Sequence, residues 1–339
     1  MANATIDDVA KRAGVSIKTV SRVANKEPNV RPATREKVQK AMDELDYRPN
    51  LSARSLAGRK SYVIGLLFDN PSASYVLDVQ TGVLSSCRAR GYDLLIHPCS
   101  YEDPEVTKEI ADVIRQTRVD GLILTPPVSD VPEIIELLNE QKIPFVRIAP
   151  AVEKENSPYV ETNDQQAAFD MTQRLIELGH TRIGFITGHP DHKAVAYRYD
   201  GFREAMAESG LSIDPKLVVQ GLNSFESGEE AARALLSRPR HPSAIFASND
   251  DMAAGVIKVA HEMGIAIPGQ LSVAGFDDSP VAHQIWPALT TVRQPIQEMA
   301  RRATELLLQR VKGQKGLSNQ VLASSIIVRD SVGPAPAGE

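Results

Sequence analysis

The chain has 339 residues, 42% hydrophobic and 24% charged, a composition ordinary for globular proteins and a length that suggests about two domains plus a smaller module. Two cysteines, Cys87 and Cys99, without CxxC spacing exclude a disulfide framework or a zinc ribbon. The lack of a signal-like N-terminus or an apolar run near ~18 residues leads us to expect a cytoplasmic chain with no membrane partner. The net charge of −5 conceals an asymmetry: residues 1–60 carry 13 Lys and Arg against 7 Asp and Glu, a net +6, which leaves −11 on the other 279 residues. A basic module joined to an acidic body points to a polyanion as partner of the module.

Residues 5–46 read as three short helices. Thr5 and Asp8 form a capping-box pattern, and Ile6, Val9, Ala10 and Ala13 follow on one helical face. Gly14 ends that helix, Ser16 caps a second one over Ile17 to Asn25, and Pro32 opens a third with Val38, Met42 and Leu45 on its apolar face. Ala10, Gly14 and Val20 have the spacing of a helix-turn-helix: a small residue where helices cross, a glycine in the turn, a β-branched residue in the shared core. At ~100° per residue, Ile17, Lys18, Ser21, Arg22 and Asn25 fall within an arc of roughly 140°, opposite Val20 and Val23. Arg or Lys on such a face can read guanine in a major groove, and Ile can meet a thymine methyl. Ser16, Thr19 and Asn25 are candidates to hold phosphates. Thr5, Asn29 and Asn50 complete the set expected to meet DNA. Residues 47–60 read as a hinge in which Asn50 caps a helix of about two turns ending at Gly58, too short to be stable alone. Leu51 and Leu56 are apolar residues in this basic linker, suited to wedge between base steps.

From residue 61 apolar runs alternate with helical stretches. Strands are expected at Val63–Phe68, Asp93–His97, Gly121–Thr125, Phe145–Ile148, Ile183–Thr187, Leu217–Gln220, Ala244–Ala247 and Val273–Phe276. Helices are expected at Asp78–Arg90, Val131–Gln141, Gln165–Leu178, Arg198–Ser209, Ser227–Leu236 and Asp251–Met263, with Gly91, Gly179, Gly210 and Gly264 at C-caps. Repeated β-α units mean parallel sheet covered by helices. Two doubly wound lobes are the economical reading, supported by a break near Glu155–Thr162; one eight-stranded barrel is the alternative. The tail from Ser331 reads as disordered.

The stretch TIDDVAKRAGVSIKTVSRVANKEPNVRPATREKVQKAMDELDYRPNLSARSL resembles the DNA-binding domain and hinge of the lactose/galactose repressor (LacI/GalR) family, and LGHTRIGFITG, YRYDGF, AIFASNDDMAAGV, VAGFDDSP and PALTTVRQP continue the likeness over nearly the whole chain. The resemblance implies a transcriptional repressor with an all-α helix-turn-helix domain and an α/β, two-lobed, periplasmic-binding-protein-like body. It implies a homodimer on double-stranded pseudo-palindromic operator DNA, controlled by a sugar or sugar derivative bound between the lobes. The matching recognition positions are Ile17, Lys18 and Arg22, and the hinge wedge matches Leu56 with Ala53 beside it. The expected organisation is 1–46 for DNA, 47–60 for the hinge, 61–330 for the body and 331–339 for the tail. Within the body the N-lobe takes about 61–161 and 291–320, and the C-lobe about 162–290 and 321–330. No apolar heptads follow a last strand at Val321–Val328, so a dimer is expected rather than a tetramer.

Ligands of doubly wound sheets bind beyond the carboxyl ends of strands. Those ends offer Asp69, Asn70, Pro126, Pro127 and Arg147 in the first lobe. The second offers His189, Asp191, Asn249, Asp250, Asp277 and Asp278, with Arg198 opening the helix that follows. Carboxylates, amides and Arg are the groups that hold a polyhydroxylated ligand, and Tyr75 or Phe68 can cover its apolar face. By resemblance, Arg198, Asn249 and Asp277 match effector-contacting positions. Ala149 replaces a frequent Asp, Arg147 adds a charge, and Asn223 stands where some relatives place an aromatic ring. His189-Pro-Asp-His192 lacks metal-ligand spacing, and neither GxSxG nor GxxxxGK[ST] occurs, so no metal, cofactor or catalysis is expected.

Overall fold

The computed structural model describes residues 4–24, 29–47, 60–192 and 195–337. The chain divides into two compact units, Met1–Tyr62 and Val63–Glu339. The expectations placed on Asn25, Asn50, Leu51, Ala53, Leu56 and Gly58 lie outside the described residues.

The first unit holds α1 (Ile6–Ala13), α2 (Ile17–Ala24) and α3 (Pro32–Glu44). α1 begins with the expected capping box: the Thr5 hydroxyl accepts from the Asp8 N–H at 3.3 Å, and the Asp8 carboxylate accepts from the Thr5 N–H at 2.9 Å. Gly14 closes α1 at φ 62°, a left-handed conformation that costs glycine nothing and makes the turn into α2. The Ser16 hydroxyl then accepts from the Thr19 N–H at 3.2 Å and starts α2. Val9, Ala10, Ala13, Val20, Val23, Val38, Ala41 and Met42 form one shared core. Full burial of a single Val or Met in it is worth about 1.5–3 kcal/mol.

The body holds two sheets, with strands numbered in chain order. The first contains β1 (Val63–Phe68), β2 (Asp93–Pro98), β3 (Gly121–Leu124), β4 (Phe145–Ile148), β5 (Tyr159–Thr162) and β11 (Gln320–Leu322). Their order is β11-β5-β4-β3-β1-β2, all parallel. The second contains β6 (Ile183–Thr187), β7 (Val218–Gln220), β8 (Ala244–Ala247), β9 (Ser272–Asp277), β10 (Thr290–Arg293) and β12 (Ser325–Ile327). Their order is β12-β10-β9-β8-β6-β7, parallel except for the antiparallel β10–β12 pair. β3, β4 and β8 are buried along their whole length, as strands covered on both faces must be. The layout is two doubly wound sheets, not a barrel.

Helices α4 (Ala73–Ala89), α5 (Val106–Thr117), α6 (Pro132–Glu140) and α12 (Ile296–Val311) pack on the first sheet. Helices α7 (Asp164–Glu177), α8 (Ala196–Glu208), α9 (Phe225–Leu236), α10 (Asp250–Glu262) and the short α11 (Val281–Gln284) pack on the second. Gly91, Gly179, Gly210 and Gly264 all have positive φ at helix ends, as expected.

The body departs from the sequence reading in three places. The expected break at 155–162 contains β5, an added strand of the first sheet. The single strand expected at Val321–Val328 is two short strands, β11 in the first sheet and β12 in the second. β10 lies in the second sheet and β11 in the first, so the chain passes between the lobes after Arg293 and after Leu322, close to the boundaries expected at about 290 and 320. The tail is not disordered over residues 331–337. The fully buried Ser331 hydroxyl donates to the Val273 carbonyl at 2.6 Å, the Gly333 N–H to Ser272 at 3.0 Å, and the Ala335 N–H to the Leu178 carbonyl at 2.8 Å. Low apolar content predicts disorder only when the backbone has no other partner, and here strand ends supply one.

Candidate functional site

On α2 the expected two faces are present. Val20 and Val23 are buried, whereas Ile17 is 48% exposed and Lys18 and Arg22 lie at the surface. Ser21 and Thr19 are half-buried beside them, and Ser16 and Asn29 are exposed. Thr5 is committed to its cap, donating to Asp8 at 2.7 Å.

In the body, a cleft lined by both sheets' strand ends spans about 580 Å³ of space between protein atoms, including the part open to solvent. Of the expected residues, Asn70, Tyr75, Pro126, Arg198, Asn223, Asn249 and Asp277 line it. Its centre is Arg198 in the first turn of α8, 8% exposed. The guanidinium donates through Nε to Asp164 Oδ2 at 2.9 Å and through Nη1 to the Ser248 carbonyl, lies 3.6 Å from Asp277 Oδ1, and stacks on Phe276 at 3.8 Å from the ring centroid. Such a buried cation keeps its charge because carboxylates offset its desolvation. Asp277, the last residue of β9, sits at φ 117°, a backbone conformation costly for any residue but glycine. Burial pushes its carboxyl up to about 7, against the pull of Arg198 and of the Gln294 amide that donates to it at 2.7 Å. Burial, and then the charge of Asp277, raise the Tyr75 phenol, which stays protonated as a donor.

Asn249 is at once a wall of the cleft and a structural cap. Its Oδ1 accepts from the Met252 N–H at 3.0 Å to start α10, and its Nδ2 donates to the Asn223 carbonyl at 3.0 Å. Asn223, at φ 61° and 7% exposed, donates through Nδ2 to His192 Nδ1 at 3.4 Å, while its Oδ1 has no partner. Burial, then the charges of His189 and Arg198, push His192 down to about 4.

Other expected residues fall outside the lining. Arg147 is fully buried in β4; it donates to Ser157 Oγ at 2.9 Å and to the carbonyls of Ser129, Val152 and Glu153, and so fixes the loop after its own strand. Asp69 accepts from the Tyr101 N–H at 3.1 Å and shapes the loop after β2. His189 accepts from the Asp191 N–H at 3.2 Å, its ring 5.5 Å from that of His192. Asp250 and Asp278 are also structural: Asp250 ties the Ser279 N–H and the Thr291 hydroxyl together, and Asp278 pairs with Arg293 and Arg329. Asp164, Gln294, His192 and Ser72 line the cleft without having been expected there. Asp164 and Gln294 follow β5 and β10, the strands that were not foreseen, so the rule of strand carboxyl ends had nothing to act on. Hydrogen bonds between the two lobes include Tyr101 Oη to Asp191 Oδ2 at 2.7 Å and Ser72 Oγ to Asp251 Oδ2 at 3.2 Å.

A helix-turn-helix unit ahead of a two-sheet body with a polar cleft is the architecture of a ligand-responsive DNA-binding regulator. The comparisons with known proteins agree. Residues 5–50 match the family described as bacterial regulatory proteins, lacI family, and residues 172–332 match a periplasmic binding protein-like domain. The chain is 35% identical over 333 residues to the HTH-type transcriptional regulator DegA of Bacillus subtilis (strain 168), covering 97% of this chain and 98% of that one. It is 35% identical over 308 residues to the ribose operon repressor of Escherichia coli (strain K12), covering 91% and 93%. Among solved structures, the Lac repressor dimer bound to operator and an anti-inducer superposes with a TM-score of 0.81 at 27% identity, covering 98% of this chain and 100% of that one. The transcriptional regulator CelR in complex with cellobiose does so with 0.75 at 32%, covering 97% and 99%. The chain belongs to the LacI family of bacterial transcriptional regulators.

Proposed function

We propose that this regulator is a cytoplasmic, homodimeric repressor that reads a pseudo-palindromic operator with α2 and is controlled by a small carbohydrate in the cleft. The observation that carries the reading is the cleft centre, where buried Arg198 lies between Asp164 and Asp277 with amides and a phenol around them. This is a set of oriented donors and acceptors for several hydroxyls at once. Its relatives support it: one is a ribose operon repressor, and others were solved with cellobiose or on operator DNA. Base readout is assigned to Ile17, Lys18 and Arg22, and phosphate contacts to Ser16, Thr19 and Asn25. Residues 47–60, with Asn50, Ala53 and Leu56, are the hinge that couples DNA reading to the body.

Control is allosteric. A ligand that touches both walls of the cleft favours the closed arrangement held by Tyr101–Asp191 and Ser72–Asp251. It can shift the DNA-binding equilibrium only by its difference in affinity for the two states. No catalysis is assigned to the cleft. The test is a selection of bound duplexes from random DNA followed by titration in rising salt. The reading expects a palindromic consensus and a steep loss of affinity with salt; recovery of no consensus would overturn it.

A further inference from the structure

Away from the cleft, a second groove reverses its balance of charge. It lies between the C-terminal ends of α6 and α12 and the start of β4, and spans about 810 Å³ between protein atoms, including the part open to solvent. Three cations line it, Lys142, Arg310 and Lys315, with the amides of Asn139 and Gln314 and no carboxylate. In the cleft, by contrast, Arg198 is the one cation among the described lining residues, and Asp164 and Asp277 face it. A phosphate entering the cleft would meet two carboxylates for one guanidinium; in the groove it meets cations alone.

Arg310 is half-buried. Its guanidinium lies 5.1 Å from the centroid of the Phe145 ring and donates through Nη1 to the Phe145 carbonyl at 3.0 Å. Its other N–H groups have no partner among the described residues, and there none of the three cations forms an ion pair. Burial lowers the proton affinity of this guanidinium with nothing set against it, whereas carboxylates work against burial at Arg147, Lys154 and Arg198. A guanidinium fork with free donors matches a phosphate two bonds at a time.

The backbone brings the two lysines to the same groove. Lys315 lies on the turn after α12, which the Gly313 N–H closes on the Arg310 carbonyl at 2.9 Å and the Gln314 N–H on the Gln309 carbonyl at 3.1 Å. Lys142 follows α6 at φ 57°, in the place that Gly91, Gly179, Gly210, Gly264 and Gly313 take after α4, α7, α8, α10 and α12. A side chain is strained in that left-handed conformation, so the turn itself does not call for a lysine.

The helix ends offset only part of this charge. A helix C-terminus carries about −0.5 elementary charge, so α6 and α12 together balance about one of the three cations. A surplus of about two remains. A carboxylate or a phosphodiester, with a single negative charge, leaves it half matched, and a phosphomonoester, at about −1.5 to −2 near pH 7, matches it.

We propose that this groove is a second ligand site, separate from the cleft, for the phosphate group of a small phosphorylated metabolite, held by Arg310 with Lys142 and Lys315. It gives the regulator a second chemical input, told apart from the first by its charge.

The test is calorimetric titration of the full-length protein with glycerophosphate, and with glycerol as the uncharged control, both with and without a saturating amount of the preferred duplex to occupy the basic module. Lys142→Gly is the first variant, because glycine keeps φ 57° without strain, and its melting temperature reports that it is folded. Arg310→Gln is the second. The expected result is one glycerophosphate per chain, bound with the duplex present or absent, and no binding of glycerol. Lys142→Gly should bind it roughly 10-fold more weakly, and Arg310→Gln roughly 10- to 150-fold. No binding to the wild type, or equal affinity for the wild type and Lys142→Gly, would overturn the proposal. Binding that the duplex abolishes would also overturn it, by placing the phosphate on a surface that meets DNA.

Discussion

The two units of the chain handle charge in opposite ways. On α2, Lys18 and Arg22 stand at the surface above a core of Val20 and Val23. In the body, Arg198 is almost sealed from solvent and lies between two carboxylates. A surface cation of a small module contributes little to folding and is there for a partner. A buried cation among carboxylates belongs to the fold as much as to the ligand, because no member can leave without exposing the others to an uncompensated charge. Substitutions at the exposed positions of α2 should therefore act chiefly on affinity, and substitutions in the cleft on affinity and stability together.

The largest expected effect is at Arg198. Arg198→Ala strands Asp164 and Asp277 and should lower unfolding stability in urea by about 3–5 kcal/mol as well as abolish the sugar response. Adding Asp277→Asn should recover part of that stability, a coupling a double-mutant cycle measures. Wild-type stability in Arg198→Ala would break the contrast between the two units. Arg22→Ala should cost about 1–3 kcal/mol on the preferred duplex, with little loss on random DNA. Equal loss on both duplexes would make Arg22 a phosphate contact instead.

A subtler effect belongs to pH. His192 is held near 4 in the folded protein, below its ordinary value of about 6.5. The unfolded chain thus takes up this proton first as pH falls. His192 leaves stability untouched above about pH 6.5 and erodes it progressively from there down to about pH 4. His192→Gln should flatten that part of the stability–pH curve relative to wild type; parallel curves between pH 4 and 6.5 would show that the imidazole is not held neutral. The smallest effect is expected at the rim. Tyr101→Phe removes the 2.7 Å link to Asp191 across the cleft and should raise the sugar Kd roughly 2- to 12-fold by calorimetry. An unchanged Kd would mean that this contact does not report closure.

The same contrast explains what could be read from the amino acids alone. The first unit is local: its capping box, turn glycine and α2 faces all follow from spacings of three or four residues, and each is present. The cleft is assembled from strand ends far apart in sequence. Asn70, Arg198, Asn249 and Asp277 were accessible because β1, β6, β8 and β9 are apolar runs or lie next to recognisable helices. Asp164 and Gln294 were not, since YVET and TTVR are short and carry too few apolar residues to stand out as strands. Arg147 misled for the opposite reason. A charged residue at the end of an apolar strand looks like a ligand contact, but the loop that follows folds back and offers it two carbonyls, and the segment after β3 offers a third.

The central claim is that a neutral sugar in the acidic body changes DNA reading by the basic module. The most direct measurement is the anisotropy of the selected duplex, titrated at fixed salt with and without the best-bound neutral sugar, for the wild type and Asp277→Asn. The account predicts a sugar-induced change of about 5- to 150-fold in the wild-type DNA Kd. It predicts none in Asp277→Asn, whose sugar-free Kd should match the wild type. A wild-type DNA Kd that ignores a sugar shown to bind, or a full response in Asp277→Asn, would contradict it.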